Sequence, residues 1–388
     1  MRLISALLLL SFFVTSCAEQ TPEPASPGSR NEEAPPPAPG ERTGDMSVED
    51  YDPVSTLVVD ENPVTVAKYP FVDVHSHWFR APNMTDGAID TLLSEMDDMN
   101  AAVLVNLSGG SGERLENAIE ALEGHAPSRF VTFANVDFDG VGEDGWAEAA
   151  VAQLREDVEN GARGLKIYKN LGMTQMDTNG ERIPVDDPRL EPIWDLCGEL
   201  GIPVLIHSAD PRMFWQPRDE RNEKWLELKL RPQRYRPPGE FPPFEDIIAE
   251  QHRMFEKHPE TTFINAHMGW MGNDLGALGD LLDRLPNVYT EIGAVIYELG
   301  RQPRAGARFM TEYKDRVLFG KDAYNRDEFD TYFRVLETED EYFDYYRKYH
   351  AHWQMYGLGL SDDVLRHVYY LNALRIIPGL DRSLFPEA

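Results

Sequence analysis

Ten histidines occur along the 388 residues, and four of them stand at or just past the ends of short apolar runs. The first run, FVDVH (71–75), continues through Ser76 to His77. On a β-strand successive side chains alternate faces, so His75 and His77 point the same way, two strand rises or about 6.6 Å apart. Two neutral imidazoles on one face can share a metal ion. Further along, IPVLIH ends at His207, TTFINAH at His267 and RVLFGKD at Asp322, while ARGLKIY carries Lys166 near its end. Taken singly, each of these is a structural His or a solvated Asp. Taken together, ligand-type groups at matching positions on four runs point to one metal centre.

Such groups need elements to bring them together. The strand candidates are residues 71–75, 102–107, 130–135, 164–168, 203–207, 262–267, 288–291 and 317–320. Their nearly continuous apolar character suits strands buried on both faces of a parallel sheet. Between them lie amphipathic helical patterns at 90–99, 115–122, 143–160, 188–200, 244–258 and 275–285. In the third of these, Trp146, Ala150, Leu154 and Val158 recur every four residues until Gly161 ends the pattern. Eight strands with intervening helices predict an α/β fold, a (β/α)8 TIM barrel whose chemistry lies at the C-terminal strand ends. The surplus length falls in an insertion after strand 5 (211–243) and in extra C-terminal helices expected over 327–380. An open doubly wound sheet is the runner-up, but no GxGxxG follows the first strand.

The motifs DVHSH, HPETTFINAHMGW (258–270), LFGKDAY (318–324) and LNALRIIPGL (371–380) resemble the amidohydrolase superfamily, in particular its amidohydrolase-related (type 2) branch. The resemblance covers residues 70–380. It implies a barrel in which His75, His77, His207 and Asp322 bind a divalent metal. His267 would be a catalytic residue or a ligand to a second ion, and Asp322 would be both ligand and general base. Lys166 lies on the strand where binuclear relatives carry a carbamylated lysine. The alternative is an amine paired with a carboxylate or substrate, and this favours one ion, zinc or manganese. The branch contains hydrolases and lactonases as well as nonoxidative decarboxylases of aromatic or muconate-like acids. The expectation is a metal-activated water acting on a small ester, lactone or amide, with decarboxylation as the alternative. A binding lipoprotein that has lost its metal is a third reading, against which every expected ligand position is filled.

Arg80 shortly after the HxH pair, Lys166 itself, and Arg212 and Trp215 in the insertion are candidate substrate contacts. Guanidinium forks suit carboxylates and aromatic faces suit rings. The alternative for the insertion is a surface loop whose charges pair with the acidic majority. Glu291, ending the seventh strand run, is a candidate partner supporting the ligands from outside.

Composition narrows the setting. With 37 Lys+Arg against 67 Asp+Glu the net charge is −30, which argues against nucleic acid, whose binders need a basic surface. Two cysteines exclude a disulfide scaffold. The first, Cys17, follows Arg2, an apolar run over 3–14 and the small residues Thr15 and Ser16. This resembles a lipoprotein signal peptide (1–16) with Cys17 as the lipidated residue. A Pro/Glu-rich tether (17–60) then leads to the catalytic domain (61–388), placing it in a bacterial cell envelope, periplasmic or surface-facing, with the lipid as its membrane contact. Cys197, in a helical pattern, reads as a buried inert thiol. The cluster from Tyr342 to Trp353 reads as core packing in preference to a homodimer surface.

Overall fold

The computed structural model describes residues 46–387. The expected signal peptide, Cys17 and most of the expected tether therefore lie outside the described residues. The chain divides into two units, Met1–Thr56 and Leu57–Ala388. In the first, the described residues include a turn in which the Ser47 hydroxyl hydrogen-bonds the Asp50 carboxylate at 2.9 Å.

The second unit alternates strands and helices. Its strands are β1 (Phe71–Ser76), β2 (Ala101–Asn106), β3 (Phe130–Thr132), β4 (Ala134–Asn135), β5 (Leu165–Ile167), β6 (Val204–Ile206), β7 (Phe263–Asn265), β8 (Val288–Glu291) and β9 (Val317–Leu318). All pairings are parallel, in the orders β1-β2-β3 and β4-β5-β6-β7-β8-β9. β3 and β4 are one barrel strand broken at Phe133, whose N–H bonds the Asn106 carbonyl at 2.9 Å while Ala134 N–H turns to Gly164 at 2.9 Å. The ring closes between its ends. Val74 N–H donates to Phe319 O at 3.0 Å, Asp322 N–H to His75 O at 2.6 Å, and Ser76 bridges to Asp322. The result is the eight-stranded barrel expected, with each strand run within a residue or two of its predicted limits.

Helices follow the strands: α1 (Asp86–Met99), α2 (Glu113–Ile119), α3 (Trp146–Glu159), α4 (Glu191–Leu200), α5 (Trp225–Leu230), α6 (Phe244–Lys257), α7 (Leu275–Arg284), α8 (Ile296–Gly300) and α9 (Pro303–Glu312). Their ends carry the expected signals. Thr85 caps α1 by accepting Ala88 N–H, Asp274 does the same for Ala277 before α7, and Gly201 closes α4 at φ 65°. Cys197 on α4 is fully buried, and burial raises its thiol pKa, which leaves it unreactive.

The C-terminal region departs from expectation. α10 (Phe329–Glu337) is followed by irregular chain over 338–361, and only then by α11 (Asp362–Arg366) and α12 (Asn372–Ile376), joined by a wider helical turn. The Tyr-rich stretch that reads as helical is therefore largely a packed loop. Its rings supply apolar area without helical periodicity: Tyr345 sits 4.1 Å from Tyr346 and 5.6 Å from Tyr297 between ring centroids. The helices beyond it are held by aromatic packing. Phe71 on β1 and Phe319 beyond β9 pack at a tilt, 4.7 Å between ring centroids, and Phe333 and Tyr369 close on them at 5.4 and 5.6 Å. Such pairs add about 0.5–1.5 kcal/mol each beyond area burial. No described helix is long and apolar enough to cross a membrane.

Candidate metal centre

His75 Nε2 lies 3.3 Å from His77 Nε2, His77 Nε2 lies 3.4 Å from Asp322 Oδ1, and Asp322 Oδ1 lies 3.6 Å from His75 Nε2. Ligands about 2.0–2.1 Å from a tetrahedral ion stand about 3.3–3.4 Å apart. The three atoms thus form one face of a coordination tetrahedron. Barrel closure makes this possible, because the β1–β9 seam sets Asp322, at φ 80°, against His75.

Each imidazole is held from behind. His75 Nδ1 faces Glu291 Oε1 at 2.9 Å, and a carboxylate can only accept, so the proton sits on Nδ1 and Nε2 keeps its lone pair. His77 Nδ1 donates to Ser108 Oγ at 2.9 Å, Ser108 to Tyr168 Oη at 2.9 Å, and Tyr168 to the Leu107 carbonyl at 3.0 Å. A chain that ends on a carbonyl runs in one direction only, so His77 Nε2 is bare as well. His267 Nδ1 donates to Gly293 O at 2.7 Å, which makes its Nε2 an acceptor for His207 Nδ1–H at 3.3 Å. His207 is then left with a bare Nε2, a buried atom with no hydrogen-bond partner. Two lone pairs and a carboxylate face one another across the triangle, and His207 adds a further buried, unpartnered lone pair, so the residue types fit a divalent ion.

Electrostatics agree. Burial, helped by the Lys166 charge, pushes His75 down to about 3, and burial likewise lowers His77 and, to well below the ordinary range, His207. The imidazoles are therefore neutral, as ligands must be. Burial pushes the Asp322 carboxyl up, but the surrounding rings of His77, His75 and His267 outweigh it and hold Asp322 well below the carboxylate range. Glu291 is held at about 2 in the same way, burial being overcome by His75 and His267. Asp73, one layer away, is raised by burial to about 8.

The structure brings His75, His77 and Asp322 together. His207 stands one step away beside His267, outside both groups whose ligand atoms lie within 4.8 Å of one another, His75–His77–Asp322 and His75–His267–Glu291. His267, Met268, Gly269 and Trp270 form a left-handed turn past β7 with φ between 54° and 58°. Conformations of this kind cost about 1 kcal/mol or more per non-glycine residue and gather at working sites. Trp270 packs on His267 at 4.7 Å between ring centroids. Lys166 is buried on β5, near enough to lower His75, His77 and His207, with its ammonium 5.5 Å from the Tyr168 ring.

The insertion residues are engaged elsewhere. Arg212 pairs with Glu245 and lies 5.6 Å from the Phe244 ring, although it also borders a cleft with Trp270 and Tyr297. Trp215 donates its indole N–H to Pro242 O at 2.8 Å. Arg80 is exposed at the mouth side of β1. Sequence reasoning missed Ser108 and Tyr168, which orient His77; nothing in their local sequence separates them from ordinary strand-end residues.

No curated protein is significantly similar to the chain. Solved structures resemble it at low identity. A 4-oxalomesaconate hydratase from Rhodopseudomonas palustris is 14% identical over 81% of this chain and 97% of its own, with a TM-score of 0.49. An uncharacterized TIM-barrel protein from Bordetella bronchiseptica is 16% identical over 79% and 97%, TM-score 0.48. An amidohydrolase from Burkholderia multivorans with bound zinc is 14% identical over 79% and 99%, TM-score 0.45. The sequence profile of the amidohydrolase family matches residues 72–379, a span that takes in every group of the centre from His75 to Asp322, and the chain belongs to that family.

Proposed function

We propose that the protein is a metal-dependent hydrolase of a small ester, lactone or amide, working with one divalent ion, zinc or manganese, held by His75, His77, His207 and Asp322. The observation that carries this reading is the triangle of 3.3, 3.4 and 3.6 Å between His75, His77 and Asp322. When bound, the ion supplies Lewis acidity toward a water and a scissile carbonyl. Asp322 is the member of the triangle most open to solvent, its side chain 33% exposed against 0% and 16% for His75 and His77. As an ionised carboxylate in the triangle, it is the group that takes the attacking water's proton and returns it to the leaving group. His267, whose Nε2 accepts the His207 Nδ1–H, serves as the second proton carrier. Lys166, close enough to lower three of the imidazoles, contributes positive charge to the site, where negative charge develops in the reaction. Arg80, Arg212 and Trp215 are secondary in this reading.

Metal analysis of the purified chain, with His75→Ala and Asp322→Asn alongside, tests the centre. About one ion per chain in the wild type, lost or greatly weakened in the variants, is expected. A wild type without transition metal, behaving as its variants do, refutes the reading. A panel of esters, lactones and aromatic acids, followed for acid release and for carbon dioxide, tests the reaction. Carbon dioxide from an aromatic acid with no hydrolysis of any ester or lactone would replace hydrolase by carboxy-lyase.

A further inference from the structure

We propose that Glu291 is a positioning residue that couples the metal ligand His75 to the proton carrier His267, so that both are set by one carboxylate. The inference rests on the metal-centre reading above and extends it to the carboxylate behind His75. Glu291 ends β8, between β7, which leads into His267, and β9, which closes the barrel onto His75. Its side chain is fully buried. Oε1 accepts His75 Nδ1–H at 2.9 Å and the His267 backbone N–H at 2.6 Å, and Oε2 accepts Gly293 N–H. The first bond fixes the tautomer that bares His75 Nε2. The second pins the start of the left-handed turn that aims His267. The third holds Gly293, whose carbonyl in turn takes the His267 Nδ1 proton at 2.7 Å.

The surroundings are shaped to this carboxylate. A Cβ on Gly320 would lie 2.4 Å from Glu291 Oε2 and 3.1 Å from His75 Cβ, and one on Gly293 would lie 2.6 Å from Oε2. Real side chains do not approach that closely, so two glycines leave the space the carboxylate occupies. Losing a carboxylate behind a metal-bound histidine typically weakens metal binding about 10–100-fold.

The test uses the full-length chain in detergent, with zinc affinity measured by competition against a chromophoric chelator. Glu291→Gln keeps shape and removes charge; Gly320→Ala keeps Glu291 and displaces it. Both are expected to bind zinc about 10–100-fold more weakly than wild type and to shift the visible bands of the cobalt-substituted protein, with circular dichroism unchanged. Should Glu291→Gln lose its fold, Gly320→Ala alone decides. Wild-type zinc affinity within twofold, together with an unshifted cobalt spectrum, overturns the role of Glu291 while leaving the metal centre standing. A wild-type chain that binds no metal overturns both.

Discussion

At the scale of single residues, protonation decides what the centre can do. A metal site needs neutral imidazoles, and here burial keeps them neutral, while the acceptors behind His75 and His77 choose which nitrogen is bare. His207 is the sharpest case, because its Nε2 is buried with no partner while its Nδ1 faces His267. We expect His207→Ala to lower zinc affinity at least about tenfold with the fold intact; equal affinity in chelator competition would leave His207 outside the ligand set. The same burial sets a pH dependence. His75 sits at about 3 in the folded chain against 6.5 when unfolded, so between those values the unfolded chain binds the extra proton. Its contribution is full above about pH 6.5 and is lost as pH falls toward 3. Glu291, at about 2 against 4.5, acts in the same direction at lower pH. Thermal melts of chelator-treated protein should lose stability steadily from pH 6.5 to 4, with a shallower slope in His75→Gln; parallel slopes would contradict the assignment.

At the scale of elements, the insertion after β6 and the loop after α10 are joined by buried charge. Lys224 bonds the His350 carbonyl at 2.6 Å and lies 3.4 Å from Glu227, which also pairs with Arg234 and lies 3.3 Å from His350. Lys224 and Glu227 are almost wholly buried. Removing one member of such a cluster leaves the others uncompensated, at a cost of about 3–5 kcal/mol. Glu227→Leu should therefore lower the unfolding free energy from denaturant titration by that amount, and a change under about 1 kcal/mol would show the cluster to be dispensable. Both segments defeat sequence reading for the same reason. They are stabilised by pairing between residues more than a hundred positions apart and by aromatic packing, neither of which leaves a local period. The strands and α1, α3, α4, α6 and α7 are legible because each buries one continuous run or stripe.

For the whole molecule, we propose that the barrel is carried at a bacterial membrane by a lipid on Cys17. Expressed in a bacterial host, wild type should partition into the detergent phase of a cell-envelope extract and Cys17→Ala into the aqueous phase. Identical partitioning would remove the anchor. Metal should also stabilise the molecule globally, because an ion that binds only the folded state adds about 2.7 kcal/mol at one hundred times its Kd. A melt that is the same with and without chelator would contradict that.

The sequence by itself determined the barrel, since eight buried runs separated by amphipathic stripes have few other ways to satisfy their backbones and cover their faces. It also marked His75, His77, His207, His267 and Asp322, because ligand-type residues stood at equivalent strand ends. Only the tertiary structure decided which of these meet. The β1–β9 seam sets Asp322 against the HxH pair, and the left-handed turn swings His267 to His207. The carboxylate, hydroxyl and carbonyl acceptors behind the rings choose the bare nitrogens. Ring closure and hydrogen-bond direction join residues far apart in the chain, and no local spacing encodes them.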